Sequence, residues 1–170
     1  MTQTVELLLD AASEAGLVRD WGLLDEAGLA SQAHHRGETN RPHVTLAAGS
    51  AILDGGEEAL ARLCARSLPV PTMLGGYAVF GAGPVVLVRL VVVTPALLAL
   101  HAAVVEQVML SERSLTAVGR WTPHLTLARR MPLDQLEAAL TTLGRAQALP
   151  ASLEGARRWD GVARRAWPLL

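Results

Sequence analysis

Lysine is absent from this 170-residue chain; all fifteen basic residues are arginine. That excludes every mechanism built on a lysine nucleophile or lysine phosphate clamp: Schiff-base and pyridoxal chemistry, the P-loop, the kinase strand lysine and ligation through adenylated lysine. Cysteine is nearly absent as well. Cys64 alone can make neither an intrachain disulfide nor a Cys-cluster zinc site, and a lone thiol fits a reducing cytoplasm. Aromatic residues are only 4% of the chain, so the paired stacking aromatics of an RNA-recognition sheet are not available. Charged residues are few, at 18%, against 51% hydrophobic, a balance that excludes disorder and supplies a sizeable core.

The formal charge of −1 hides an asymmetry: residues 1–123 carry a net −4 and residues 124–170 a net +3. A duplex-DNA footprint needs a more basic surface, whereas a small phosphorylated ligand or an RNA end needs only a few arginines. Residues 1–10 lack the charged start and apolar run of a signal peptide. The apolar stretch 84–110 is interrupted by Arg89, Thr94-Pro95 and His101, and reads as a strand followed by a buried helix rather than a membrane span. The expected setting is therefore cytoplasmic, with no membrane and no DNA as partner, and the chain is expected to be a monomer.

Val5, Leu7 and Leu9 alternate with Glu6 and Leu8, which predicts an opening strand ending at Asp10. Asp10 can cap a helix over 11–27 that Gly28 ends. Strands are expected over 30–36, 43–48, 70–80, 84–93, 114–119 and 124–130, and a final hairpin over 152–158 and 162–167 turns at Asp160-Gly161. Helices are expected over 57–67, 95–110 (capped by Thr94, with Pro95 first) and 133–146. The hairpins argue for α+β with antiparallel sheets rather than a doubly wound fold, and no linker divides residues 1–170 into independent domains.

One internal echo stands out. Pro42-His43-Val44-Thr45-Leu46-Ala47 recurs as Pro123-His124-Leu125-Thr126-Leu127-Ala128, 81 residues later. Two such copies predict two related lobes around a central cleft. Alternation puts His43 with Thr45, and His124 with Thr126, on the face opposite the apolar neighbours. Across a cleft, one neutral imidazole can take a proton from an attacking oxygen while the other, protonated, gives one to a leaving oxygen. The threonine hydroxyls can donate to the non-bridging phosphate oxygens. Neither motif offers Asp, Glu or Cys at metal-ligand spacing, so neither a metal nor a cofactor is expected.

The two motifs, with Arg129 directly after the second, resemble those of the 2H phosphoesterase superfamily, in its bacterial 2′-5′ RNA ligase and 2′,3′-cyclic phosphodiesterase-like branch. The resemblance spans essentially the whole chain. It implies a bilobal α+β fold of two pseudo-symmetric antiparallel sheets, helices outside, and catalytic His43, Thr45, His124 and Thr126. It implies a small cyclic phosphate or RNA end as substrate, such as an RNA 2′,3′-cyclic phosphate, hydrolysed typically to a 2′-phosphate, or a 2′-5′ linkage, and an arginine at position 129 meeting phosphate. Strict alternation from His124 instead turns Arg130 toward the cleft, and a bulge would restore Arg129, so both stay candidates. Trp121 and Phe80 are candidates for stacking on a base. His34 and His35 read as surface residues, His101 as a core histidine, and Arg157-Arg158 and Arg164-Arg165 as a solvated or RNA-facing edge. Two alternatives stand beside hydrolysis: a non-catalytic nucleotide- or RNA-binding module, and a 2′-5′ RNA ligase running the chemistry in reverse.

Overall fold

The computed structural model describes residues 2–35, 37 and 39–170. Strand β1 (Gln3–Leu9) leads into α1 (Ala11–Glu26), and a 3-10 turn (Gln32–His34) precedes β2 (His43–Gly49). Helix α2 (Gly56–Ser67), β3 (Val70–Phe80), β4 (Val85–Val91) and α3 (Pro95–Val105) follow. The chain closes with β5 (His124–Met131), a 3-10 turn (Leu133–Gln135), α4 (Leu136–Leu143), β6 (Leu149–Asp160) and β7 (Arg165–Pro168). The local signals act as expected: Asp10 accepts from the Ser13 amide at 2.9 Å to cap α1, and Thr94 accepts from the Leu97 amide at 3.2 Å with Pro95 first in α3.

The order β-α-β-α-β runs twice before β7, so the duplication extends well beyond the two short motifs. All pairings are antiparallel, and the strands form one sheet in the order β2-β1-β6-β3-β4-β5. The fold is α+β, and its two expected sheets meet in β6. That strand pairs with β3 over Leu149–Leu153 and with β1 over Leu153–Asp160, while β7 lies beside its last residues. Each half thus takes its inner strand from the other copy. The helices cross over too: α1 packs on β5 and α4, and α3 on β2 and α2.

The motif strands β2 and β5 are the two ends of the sheet, yet their Cα atoms come within 8 Å of each other without pairing. β2 carries one extra residue against its neighbour, Leu46 between the partners of Val5 and Glu6, whereas β5 carries two, Leu127 between the partners of Leu87 and Val88 and a second within Arg129-Arg130, between the partners of Val85 and Leu87. Both strands bury two successive residues at the first of these shifts, Leu46-Ala47 and Leu127-Ala128, and the second shift in β5 leaves Arg129 and Arg130 both exposed ahead of buried Met131.

Several expected elements differ. The segment 30–36 is no strand but the 3-10 turn, capped by Ser31, whose hydroxyl accepts from the Ala33 amide and donates to the Trp21 carbonyl; Arg36 lies outside the described residues. Residues 114–119 form turns, because Ser114 and Thr116 bond each other and the Thr116 hydroxyl accepts from the Ala48 amide on the free edge of β2. Helix α3 stops at Val105, and the 133–146 helix divides into a 3-10 turn and α4.

His101 is a core histidine. Its Nε2–H donates to the Thr116 carbonyl at 2.9 Å and its ring lies parallel on Trp121 at 4.0 Å. Burial pushes it below its ordinary value, against the pull of that carbonyl. The unfolded chain therefore takes up a proton near pH 6.5 that the folded chain refuses. Stability is full above that pH and falls below it, and urea midpoints at pH 7.5 and 5.5 will show a smaller drop for His101→Gln than for the parent. A second outcome concerns Gly49, where an added Cβ would meet the Met109 carbonyl and lie 2.6 Å from Val108 Cγ1. Gly49→Ala will cost about 1–3 kcal/mol in urea unfolding, the usual cost of overpacking.

Candidate active site

The two motifs build their histidines alike. His43 Nδ1–H donates to the Arg41 carbonyl at 2.7 Å, and His124 Nδ1–H to the Thr122 carbonyl at 2.7 Å. A carbonyl can only accept, so the proton sits on Nδ1 in both rings, and each Nε2 is the nitrogen that exchanges protons. The strand backbones are held alike as well. Trp121 Nε1–H donates to the Thr45 carbonyl at 2.8 Å, and Trp21 Nε1–H to the Thr126 carbonyl at 2.9 Å. Each indole thus satisfies an unpaired carbonyl of the strand end in the opposite copy.

The surroundings are unlike. His43 and Thr45 line a cavity of about 380 Å³ with Glu6, Arg157, Arg129 and Trp159. His124 lines a neighbouring cavity of about 310 Å³ with Phe80, Leu115, Trp121 and Arg120. Thr45 lines both; Thr126 lines neither, although it is half-buried beside His124. The first cavity is polar and charged, the second largely apolar.

Arg129 is brought to the His43 cavity, and it also borders a cavity of about 300 Å³ shared with Gln32 and His35. The extra residue Leu127 makes this possible by turning Arg129 to the face of His124 and Thr126. Arg130, which strict alternation favoured, is exposed at φ 54 and lines neither cavity. Phe80 meets His124 edge to face at 5.0 Å. Trp121 lines the same cavity, but one ring face is covered by His101 and its N–H is used, so it supports the motif strand as much as it faces a ligand.

The sequence reading assigns no role to Glu6 and places Arg157 only in a solvated or RNA-facing edge. Glu6 is buried on β1 opposite Thr45; its Oε2 accepts from Arg157 Nε–H at 2.7 Å and its Oε1 from the Thr4 hydroxyl at 2.7 Å. Oε1 also lies 3.6 Å from His43 Nε2. Arg157 donates further to the Thr39 carbonyl at 2.9 Å. Its Nη2 stands 3.4 Å from His43 Nδ1, a close neighbour and not a donor, since that nitrogen carries its own proton. The signal was one charge inside an apolar strand, and one arginine of an adjacent pair that must face inward. Arg158 faces the other way, to Gln3 and Glu57. His35 joins the cavity lining, and His34 pairs with Asp25 at the surface. Burial lowers the His43 pKa; Glu6 and the Arg41 carbonyl pull it up, and Arg157 and Arg129 push it down. Cys64 plays no part: burial pushes its thiol up to about 11. Among the described residues no group of three His, Cys, Asp or Glu is placed to hold a metal ion, and no helix is long and apolar enough to cross a membrane.

Residues 18–159 match the family model described as the 2′-5′ RNA ligase superfamily. Among solved structures, the chain resembles TT0787 of Thermus thermophilus at 19% identity and a TM-score of 0.59, over 100% of this chain and 96% of that one. It resembles E. coli LigT at 15% identity and a TM-score of 0.56, over 99% and 94%. Usb1 of Kluyveromyces marxianus is similar at 14% identity and a TM-score of 0.53, over 99% and 97%. At such identities the likeness is one of fold. No curated protein matches the sequence.

The placement of the two neighbouring arginines gives a direct test. A guanidinium holds phosphate through paired charge-assisted bonds. Arg129→Ala will weaken inorganic phosphate binding about tenfold or more in calorimetric titration, the worth of one charged hydrogen bond. Arg130→Ala will leave it unchanged.

Proposed function

The chain belongs to the 2′-5′ RNA ligase superfamily, and from that footing we propose that it is a metal-independent phosphoesterase working on RNA 2′,3′-cyclic phosphates or 2′-5′ linkages by histidine acid–base catalysis. One observation carries the reading: two matched His-x-Thr strands hold both rings in the same tautomer, each Nε2 free to exchange a proton. One neutral Nε2 takes the proton of the attacking oxygen as it closes on phosphorus. The other, protonated, supplies the leaving oxygen on the opposite side. Arg129 and the Thr45 and Thr126 hydroxyls are the donors assigned to the non-bridging oxygens, where charge grows in the transition state.

A nucleotide-sized ligand fits this reading. E. coli LigT is known in complex with 3′-AMP and with phosphate, and the Kluyveromyces Usb1 with uridine monophosphate. The apolar cavity beside His124, walled by Phe80 and Leu115, suits the flat face of a base. Residues 1–170 then act as one bilobal unit, a monomer whose free Cys64 suits the reducing cytoplasm.

A second reading of the same chemistry is a phosphodiester with an organic group on both sides of phosphorus, as a 2′-5′ linkage has, cleaved or formed; the cavities at the two histidines, about 380 and 310 Å³, are each within the range of small-ligand pockets.

His43→Ala or His124→Ala will each lower kcat/KM by about 10²–10⁴-fold, the contribution of one positioned acid or base. The parent will show a bell-shaped pH profile and keep its activity in EDTA. Cyclic mononucleotides assayed beside 2′-5′-linked dinucleotides separate the two substrate readings. Full activity in both alanine variants would remove the acid–base assignment.

A further inference from the structure

The two histidines are alike in their closest surroundings: the Nδ1–H bond to a carbonyl two residues back, the extra residue in the strand beyond the threonine, and an indole, Trp21 of α1 in one case and Trp121 in the other, on a threonine carbonyl. A reaction in which one ring takes a proton and the other gives one needs them unequal. The inequality lies on the neighbouring strands. Opposite Thr45 stands Glu6, and opposite Glu6 stands Arg157. Opposite Thr126 stands Val88, and opposite Val88 stands Ala78. A valine–alanine pair holds the second half together at the equivalent place, so the fold itself does not demand a buried ion pair there, and such a pair costs desolvation.

We infer that Glu6 is a positioning residue for His43, its carboxylate holding a proton at the ring's Nε2 and so setting which protonation state this histidine brings to the reaction. The inference rests on the reading of His43 as an acid–base group. Its geometry is specific. The carboxylate is 5% exposed and tied on both oxygens, to Thr4 and to Arg157, so it cannot swing away. The Nδ1 proton is already given to the Arg41 carbonyl, so any second proton on the ring sits on Nε2, 3.6 Å from Glu6 Oε1. Among the described residues the other charged groups at this ring oppose it: Arg157 from β6 and Arg129 from β5, with His35 lining the same cavity. Glu6 is the counterweight. Among the described residues no carboxylate lines the cavity of His124, whose neighbours there are Phe80, Leu115, Trp121 and Arg120.

The test is an NMR titration of the His43 imidazole, which needs no turnover, in the parent, Glu6→Gln, Arg157→Gln and the double variant, with pH profiles of kcat/KM on a 2′,3′-cyclic nucleoside monophosphate beside it. Glu6→Gln will move the His43 titration down by about 1–3 units, the effect of one opposite charge at this range. Arg157→Gln will move it up, and the double variant will return toward the parent. In the pH profile one limb will follow these shifts while the other stays. Opposite displacements of one titration cannot come from a merely structural role. If Glu6→Gln fails to fold, the step from Arg157→Gln to the double variant still has to lower the His43 titration. An unmoved titration, or shifts of the same sign in both single variants, overturns the inference. Full activity in His43→Ala would instead overturn the acid–base reading beneath it, and the two failures are thereby distinguished.

Discussion

Two strand edges that meet without pairing are what the rest of this structure depends on. A sheet curled until its end strands lie within 8 Å would ordinarily close by joining their free N–H and C=O groups. Here three of those groups are taken by side chains. The Thr45 and Thr126 carbonyls accept from the indoles of Trp121 and Trp21, and the Ala48 amide donates to the Thr116 hydroxyl. The two edges meet without pairing. Both tryptophans come from the copy opposite the strand they hold, so the exchange of elements between halves also keeps those halves in register.

The extra residues in β2 and β5 have a consequence at the site. They break alternation at the same point of each motif and rotate the side chains beyond it. In the second copy the rotated residue is Arg129, a cation facing His43 across the gap. In the first it is Ala48, whose amide serves the strand edge. One backbone device is thus used for charge in one half and for closure in the other. The same division runs through the floor, where Glu6 and Arg157 face Val88 and Ala78. A duplicated frame thus carries an unsymmetrical set of charges around its two histidines.

Much of the fold was legible because its signals are local. Asp10 and Thr94 start their helices through their own side chains, and the alternation of Val5, Leu7 and Leu9 needs no partner to declare a strand. The segments misread are those whose hydrogen bonds go elsewhere. Residues 114–119 have strand-like composition, but Thr116 is engaged by Ala48 and His101 and makes no ladder. The 3-10 turn Gln32–His34 forms where Ser31 bonds the Trp21 carbonyl ten residues back.

For the site, the sequence by itself determined the two histidines, the two threonines, their common face and their relation by duplication, because a repeated motif and a two-residue period are properties of the chain alone. It left Arg129 and Arg130 unresolved, since an extra residue against a neighbouring strand reverses the side chain that follows it, and the two register shifts of β5 are visible only in the pairing. Glu6 and Arg157 lie 151 positions apart and meet because β1 and β6 are neighbours in the sheet. Their bearing on His43, and the contrast between a charged cavity and an apolar one, were decided by tertiary structure alone: electrostatic environment follows distance in space, and distance along the chain does not report it.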